Sequence, residues 1–330
     1  MKGYLSNLIF ALPFLLFCFF FGCHTENKKL SRYTFQHQSM GSRFNVVLYA
    51  DDSLKAAQSV STSFQHLDEL NLILSDYIPH SEIMQLSRSS GGNKFWKVSD
   101  ELSDVMKVSK QWYEWSGGVF DITIGPYTQL WRRAIRQDKL PSSDVINQLK
   151  ESVGFELIVL DSAKGVLLSK EKMQLDFGGI AKGYAVDKIY EQLVEDGYDI
   201  CLVDGAGDLR TGASPPDAEG WKVVIQSFVG ADSTITISHK AIATSGDFYR
   251  NLEIDGKRYS HIIDPFTGYG ITASRSVTVM ANDCTSADVL ASIFSITGPD
   301  HTDLNNSLPN GAMITIFEKE KGEVEVYQLP

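Results

Sequence analysis

The clearest periodic pattern in the chain predicts a long amphipathic helix from Ser53 to Leu74. Its apolar side chains recur every three or four residues, the spacing of one helix face: Ala57, Val60, Phe64, Leu67, Leu70 and Ile73. A second helix is predicted over 103–116, where the aromatic side chains of 111–115 are interpreted as core packing. An apolar run over 44–49 predicts a strand before the first helix.

Shorter apolar runs bounded by turn residues predict further strands. They cover 157–160, 166–168, 221–226, 233–237, 276–280 and 312–317. Because strands do not alternate strictly with helices, we expect an α+β fold: a single two-lobed domain with a largely antiparallel sheet core and flanking helices. No internal repeat and no Pro/Gly/Ser-rich linker divides it.

The N-terminus resembles a bacterial lipoprotein signal. An apolar run over 8–21 ends at Gly22-Cys23, after which the chain becomes polar. In a lipobox, a small residue precedes the cysteine that is lipidated after cleavage. The alternative is an uncleaved membrane anchor, which needs about 20 apolar residues, so this run is short for one.

The lipoprotein interpretation gives the domain organisation and the location. We expect a signal peptide over 1–22, lipid on Cys23, a tether over 23–32 and the folded domain over 33–330. The lipid would hold the protein on a membrane of the bacterial cell envelope, with the domain facing the periplasm or the cell exterior.

Charge and cysteine content narrow the class of protein. The 41 acidic and 30 basic residues give a net charge of -11, which argues against a nucleic-acid partner. Of the 4 cysteines, only Cys201 and Cys284 lie in the predicted domain. This count disfavours a disulfide scaffold and excludes a cysteine zinc site, while a single bridge between the two stays open.

The strongest chemical signal is a glycine-rich turn that opens a helix, over 175–187. Unpaired N–H groups and the helix dipole favour an anion at a helix N-terminus, and Gly178 and Gly179 let a phosphate approach the backbone. Neither nucleotide fingerprint fits: Lys182 is not followed by Ser or Thr as in a Walker A loop, and Arg210 stands where the third Rossmann glycine belongs. An ordinary strand-to-helix turn is the alternative.

A second cluster lies on a helix predicted to begin near Thr285. Asp288 and Ser292 are four residues apart, so a carboxylate and a hydroxyl on one helix face can bind a hard cation such as Mg²⁺. The alternative is that Asp288 only offsets the helix dipole. Asp283 and Thr285 are interpreted as capping residues.

His261 is the candidate acid or base. It follows Ser260 and precedes a Pro-Phe-Thr-Gly turn, which favours exposure in a cleft, although a lone His is more often structural. A serine-hydrolase triad is the rival use of such a residue. The chain lacks the G-x-S-x-G elbow that such a triad needs.

Eight short segments follow one another in a characteristic order. They are MGS at 40–42, LSDY at 74–77, GVFDITIGP at 118–126, DFGGIAKGY at 176–184, GAGD at 205–208, ATSGD at 243–247, SHIIDP at 260–265 and ADVLAS at 287–292. In this order they resemble the ApbE family of FAD:protein FMN transferases. The resemblance spans nearly the whole predicted domain and is far more specific than any single motif.

The resemblance implies a Mg²⁺-dependent enzyme with FAD as its substrate. Such an enzyme cleaves the pyrophosphate, releases AMP and joins FMN through a phosphoester to a Thr or Ser of an acceptor flavoprotein, for example a subunit of a membrane redox complex. Two rivals stay open: an FAD pyrophosphatase that yields FMN and AMP, and a flavin-binding lipoprotein without turnover. The presence of Asp288 and Ser292 favours catalysis.

Motif position also implies residue roles. The flavin end would contact Met40 and Tyr77, and the adenosine or ribityl part of FAD would contact Val119, Phe120 and Asp121. The pyrophosphate would lie along Gly178, Lys182 and Tyr184, with Asp208 and Ile263 nearby. Mg²⁺ would be held by the Ala181 carbonyl, Asp288 and Ser292, where Ser replaces the family's usual Thr and keeps the hydroxyl. His261 is the candidate general base, with Asp264 either orienting its imidazole or capping the turn.

Overall fold

The helices and strands are described from a computed structural model, over residues 29–225, 232–246, 251–254, 256–320 and 323–330. Within these residues the helices are α1 (Ser53–Leu74), α2 (Glu82–Arg88), α3 (Asp100–Trp115), α4 (Gly125–Gln137), α5 (Ser143–Leu149), α6 (Ala181–Glu195), α7 (Cys284–Thr297) and α8 (Thr302–Asn306). Two short 3-10 turns cover Lys150–Ser152 and Phe155–Leu157. The strands are β1 (Ser31–Ser39), β2 (Ser42–Ala50), β3 (Ile158–Asp161), β4 (Gly165–Leu168), β5 (Cys201–Gly205), β6 (Asp208–Thr211), β7 (Trp221–Ile225), β8 (Ser233–Ile237), β9 (Ala241–Gly246), β10 (Asn251–Ile254), β11 (Lys257–Ser260), β12 (Ser274–Ala281), β13 (Met313–Glu320) and β14 (Glu323–Leu329).

A large antiparallel sheet organises these elements. Over the described residues it has 8 strands in the order β1-β2-β5-β6-β9-β12-β13-β14, and neighbouring strands are antiparallel. Helix α1 packs on β1 and β2, α6 on β5 and β6, and α7 on β9 and β12. Because α6 also contacts both α1 and α7, the three helices form one layer. The predicted α+β fold with a largely antiparallel sheet is confirmed.

The main core lies between this sheet and its helix layer. A smaller apolar cluster joins α4 and α5 to the β10–β11 hairpin and to the loop after it, through Tyr127, Trp131, Ile146, Tyr259 and Ile263. This cluster is separate from the main core. It matters for function because the loop after β11 carries His261.

The predicted long helix is confirmed from Ser53 to Leu74, with Asp52 accepting backbone hydrogen bonds as its N-cap. Ala56 and Leu74 are buried, whereas the periodicity predicts Ala57 and Ile73 at these two ends of the helix. The apolar stripe is wide enough that a shift of one residue still faces the core. The predicted helix over 103–116 begins three residues earlier, at Asp100. Ser99 causes the early start, since its hydroxyl accepts from the Leu102 N–H at 3.2 Å.

Most predicted strands are found with shifts at their ends. The run over 44–49 lies inside β2, and β8 has the predicted bounds. Leu157 ends a 3-10 turn and β3 begins at Ile158, while β13 begins at Met313 rather than Ala312. Two predicted positions lie outside the described residues: Gln226, the last residue of the predicted strand over 221–226, and Asp247, the last residue of the motif at 243–247.

The N-terminal predictions fall largely beyond what is described. The signal peptide over 1–22, Cys23 and the tether up to residue 28 lie outside the described residues. The last two residues of the predicted tether, Ser31 and Arg32, are part of β1. In the described ranges, the helices are too short or too polar to span a bilayer.

Candidate active site

The glycine-rich turn directly precedes α6, which begins at Ala181. The Asp176 carboxylate accepts from the Gly178 N–H at 2.7 Å, a local bond that shapes the turn. The Ala181 N–H then bonds to the Phe177 carbonyl at 2.8 Å and starts α6. The helix has no side-chain cap at its N-terminus. The predicted glycine turn that opens a helix is thus found, although only the isolated bridge of Gln174 with Ile124 precedes it and no regular strand does.

Two glycines let α7 approach the start of α6 closely. A Cβ at Gly183 would lie 2.4 Å from the Cys284 carbonyl oxygen, and one at Gly179 would lie 3.0 Å from the Ser292 hydroxyl oxygen. Neither distance leaves ordinary room for a side chain. The sequence predicts that Gly179 leaves room for a ligand. In the fold, the missing side chain leaves room for α7.

This close packing brings the three predicted metal ligands together at one end of α6. One oxygen of the Asp288 carboxylate accepts from the Gly183 N–H at 3.1 Å, so Asp288 lies against the residues that follow Ala181. Asp288 is only 6% exposed. The Ser292 hydroxyl lies one helical turn further along α7, beside Gly179.

The donor set fits Mg²⁺. A carboxylate, a backbone carbonyl and a hydroxyl are all hard oxygen donors, and Mg²⁺ in enzymes is often held by one or two carboxylates together with substrate phosphates. Among the described residues, no group of three His, Cys, Asp or Glu side chains could hold a metal by itself. A cation bound by Asp288 would therefore need further oxygen donors, and the sequence offers the Ala181 carbonyl and the Ser292 hydroxyl.

The N-terminus of α7 is anchored by a residue that sequence reasoning did not assign. Buried Asp187 on α6 accepts from the N–H of Cys284 at 2.9 Å and from the N–H and hydroxyl of Thr285 at 2.7 and 2.6 Å. Its carboxylate also bonds to Arg210 at 2.8 Å. Asp283 is the N-cap, as predicted, accepting from Ser286 at 2.7 Å. The prediction that Thr285 is a second cap is wrong, because its groups are donors to Asp187.

Two tight hairpin turns lie beside the start of α6. Phe44 pairs with Gly205, so the β1–β2 and β5–β6 turns lie at the same end of the sheet. Met40 and Ala206 both have positive φ, 51° and 59°, which non-glycine residues adopt at an energetic cost. The Lys182 ammonium forms an ion pair with the buried Asp208 carboxylate at the start of β6. Lys182 and Asp208 are thus joined at the start of α6, and Met40 lies in the other hairpin turn at the same end of the sheet.

The segment 119–122 runs alongside the glycine turn. The Asp176 N–H donates to the Ile122 carbonyl at 2.8 Å, and the Phe120 ring lies 3.4 Å from the position of a Cβ on Gly179. Asp121 accepts from the N–H and hydroxyl of Thr123 at 2.8 and 2.7 Å. Burial raises the pKa of Asp121 to about 6. The two hydrogen bonds from Thr123 show that the Asp121 carboxylate shapes this segment.

The turn that carries His261 packs onto the same segment. Asp264 accepts from the Phe266 N–H and the Thr267 hydroxyl, both at 2.9 Å, so its two oxygens cap the turn. Of the two roles considered for Asp264, the turn role has direct structural support. The Phe266 ring lies 3.5 Å from the position of a Cβ on Gly118, so the turn lies beside the start of the segment that carries Val119, Phe120 and Asp121.

The remaining predicted residues differ in exposure. His261 is exposed, Ile263 is buried in the smaller apolar cluster, and Tyr77 is 67% exposed on the loop after α1. The hydroxyl of Tyr184 donates to Glu101 at 3.0 Å, so this ring packs towards α3. Cys201 and Cys284 are free and buried, and burial raises the pKa of Cys201 to about 12. The bridge left open by the sequence is absent.

Comparison with known proteins identifies the family. A model described as the ApbE family matches residues 40–314. The chain belongs to the ApbE family. An FAD:protein FMN transferase from Vibrio cholerae is 29% identical over 272 residues, covering 79% of this chain and 80% of the relative. A protein of the same name from Escherichia coli K12 is 27% identical over 297 residues, covering 86% of this chain and 84% of the relative.

Solved structures agree with the family assignment. The flavin transferase ApbE from Vibrio cholerae has a TM-score of 0.79 at 25% identity, covering 91% of this chain and 98% of its own. An ApbE protein from Thermotoga maritima has a TM-score of 0.78 at 27% identity, covering 89% and 96%. The ApbE-like fold predicted from the ordered motifs is therefore confirmed.

Proposed function

We propose that this ApbE-family protein is a Mg²⁺-dependent FAD:protein FMN transferase. It takes FAD as substrate, joins the FMN phosphate to a Thr or Ser hydroxyl of an acceptor flavoprotein and releases AMP. The observation that carries the proposal is the packing of α7 onto the start of α6, which gathers Ala181, Asp288 and Ser292 beside the glycine turn. The names of the relatives support the same reaction.

In this proposal the glycine turn and Lys182 bind the pyrophosphate. The turn offers backbone N–H groups at the positive end of α6, and Lys182 is held at the same end by Asp208. Ala181, Asp288 and Ser292 would hold Mg²⁺, which when bound supplies neutralisation of pyrophosphate charge. With a surface of net charge -11, such local groups rather than a general positive field must attract the phosphates.

The transfer itself needs one proton to move. The acceptor hydroxyl oxygen bonds to the FMN phosphorus, the bond from that phosphorus to the AMP phosphate oxygen breaks, and AMP leaves. An imidazole nitrogen of His261 takes the hydroxyl proton. Its exposure on a turn capped by Asp264 suits a base that must meet a protein substrate rather than a small molecule. Positioning of the two reactants supplies most of the remaining rate enhancement.

A product analysis tests this reaction against its rivals. Purified protein would be incubated with FAD, Mg²⁺ and a candidate exported flavoprotein subunit, and the nucleotides would be separated by chromatography. AMP formed in equal amount to protein-bound flavin supports the transferase. AMP with free FMN, also without acceptor, indicates a pyrophosphatase, and FAD recovered intact indicates a flavin-binding protein.

We also propose that lipid on Cys23 holds the domain on a membrane of the cell envelope. The predicted tether over 23–32, with its polar residues 24–29, would link the lipid to β1, and acceptors such as membrane redox-complex subunits would be within reach. Fractionation of cells that express wild-type protein or Cys23→Ala tests this. The wild type is expected in the membrane fraction and the variant outside it; equal distribution would contradict the anchor.

A further inference from the structure

We propose that Arg132 is a positioning residue of the FAD site, clamping the loop that carries Tyr77 to the glycine turn. The inference rests on the proposed function and adds a residue that no motif of the family resemblance includes. Arg132 lies on α4, outside the main sheet and its helix layer. Its guanidinium reaches three groups that belong to two separate segments of the site.

The first contacts are with two acidic side chains. One guanidinium nitrogen is paired with Asp76, and the other lies 3.6 Å from an Asp176 carboxylate oxygen. The side chains of Arg132, Asp76 and Asp176 are 23%, 10% and 9% exposed. The three charges thus form one shielded group, in which the planar guanidinium faces the two carboxylates with different nitrogens.

Each carboxylate belongs to a segment that the proposed reaction uses. Asp76 immediately precedes Tyr77, the predicted contact for the flavin end. Asp176 begins the glycine turn, and its second oxygen accepts from the Gly178 N–H at 2.7 Å. Arg132 therefore fixes the distance between the flavin end and the pyrophosphate end of the cleft.

The third contact is with Tyr77 itself. The guanidinium carbon lies 4.1 Å from the centre of the Tyr77 ring, a cation–π geometry. Tyr77 is otherwise 67% exposed, so Arg132 is a principal support for the orientation of the ring. A ring held in place before FAD arrives loses less side-chain entropy on binding.

The charge arrangement explains why the clamp needs a cation at position 132. Burial raises the pKa of Asp76, and so does the negative charge of Asp176. Both effects disfavour the charged form of Asp76, so two ionised carboxylates at this place need a compensating positive charge. Arg132 attracts both carboxylates. Without it the two segments would repel each other, and the turn that begins at Asp176 would lose its link to Tyr77.

The simplest alternative is that Arg132 only attaches α4 to the domain. Under that alternative, removing its charge lowers stability but leaves the affinity of the folded protein for FAD unchanged. The clamp predicts a loss of FAD affinity that depends on Tyr77. Affinity and stability therefore have to be measured on the same variants.

The experiment compares Arg132→Met and Arg132→Lys with the control Arg133→Met, which removes the neighbouring exposed arginine of α4. FAD affinity would be measured by flavin fluorescence, with Mg²⁺ present, and folding by thermal unfolding. We expect about a tenfold or greater rise in Kd for Arg132→Met, partial recovery in Arg132→Lys and no change in Arg133→Met. Should Arg132→Met fail to fold, Arg132→Lys supplies the comparison.

A double-mutant cycle with Tyr77→Leu completes the test. If the clamp acts through Tyr77, Arg132→Lys should cost clearly less FAD affinity in the Tyr77→Leu background than in the wild type. Unchanged Kd in folded Arg132 variants, or strictly additive effects, would overturn the inference. Failure of the wild type to bind FAD would instead overturn the proposed function, so the two failures are distinguishable.

Discussion

His261 is an exposed side chain on a turn whose neighbouring polar groups are occupied in holding the turn. Asp264, the residue best placed in sequence to orient an imidazole, caps the backbone instead. We therefore predict that His261→Ala keeps FAD affinity near the wild-type value but lowers FMN transfer on the order of 10²–10⁴-fold, the usual contribution of a general base. Transfer rates and flavin fluorescence would measure the two effects.

The matched control for this prediction is His80→Ala, which removes another exposed histidine. The control should transfer FMN at the wild-type rate. If His261→Ala also transfers at that rate, the base is another group, and the exposed position of His261 serves a different purpose.

Asp121 gives a prediction about pH. Its pKa in the folded protein is about 6, against an ordinary value of 3.8, because burial disfavours the charged form. The folded state therefore binds a proton more tightly than the unfolded state, and the contribution of Asp121 to stability is fully present below about pH 4 and is lost as pH rises through 6. The full difference is about 3 kcal/mol.

Asp121→Asn removes this titration and keeps an oxygen that can accept from Thr123. Urea unfolding at pH 4.5 and 7.5 would measure both proteins. The stability of the wild type relative to Asp121→Asn should increase at the lower pH by an amount on the order of 1–3 kcal/mol. A relative stability that is equal at the two pH values would contradict the raised pKa.

At the scale of elements, the site depends on how closely α6 and α7 pack. Replacing a glycine inside a helix by alanine usually stabilises it by up to about 1 kcal/mol. At Gly183 the sign should reverse, because the new Cβ would lie 2.4 Å from the Cys284 carbonyl oxygen and 2.9 Å from the Asp288 Cβ. We predict that Gly183→Ala lowers stability by about 1–3 kcal/mol, the range for overpacking.

The same substitution should also raise the Mg²⁺ concentration that the reaction needs, since it pushes Asp288 away from Ala181 and weakens the proposed Mg²⁺ site. Gly92→Ala, between α2 and α3, is the control, because there the nearest atom beyond the chain neighbours would be the Ser89 carbonyl oxygen at 3.3 Å, against 2.4 Å at Gly183. Chemical unfolding and a Mg²⁺ titration of FMN transfer would follow both variants. A Gly183→Ala protein with wild-type stability and the wild-type Mg²⁺ requirement would show that the close packing is not required.

For the whole molecule, the sequence pattern predicts the local helices and strands better than it predicts which distant segments contact each other. The helix from Ser53 to Leu74 and most strands follow from periodicity, because a buried face repeats at a fixed spacing. The start of α3 was missed because Ser99 caps it from outside the apolar pattern. The order of the eight sheet strands depends on pairings such as that of β2 with β5, which local patterning does not encode.

In the candidate site, too, local relations could be predicted from the sequence and long-range contacts could not. Asp288 and Ser292 could be predicted as partners because one helix places them on one face. The anchoring of α7 by Asp187 and the clamp formed by Arg132 join residues far apart in sequence. The signal available for Asp187 was an acidic residue that directly follows the apolar residues 184–186 in the middle of the predicted helix. If such a residue is buried, its carboxylate needs a partner. For Arg132 the local sequence holds no comparable signal.

The most direct test of the account is the intact mass of an acceptor protein after incubation with this protein, FAD and Mg²⁺. The account predicts a gain equal to FMN less one water, absent when a chelator is added and absent with Asp288→Ala, while Asp300→Ala, at an exposed site, behaves as the wild type. An acceptor whose mass stays unchanged in the presence of active, FAD-cleaving protein, or a gain that survives both the chelator and Asp288→Ala, would contradict it.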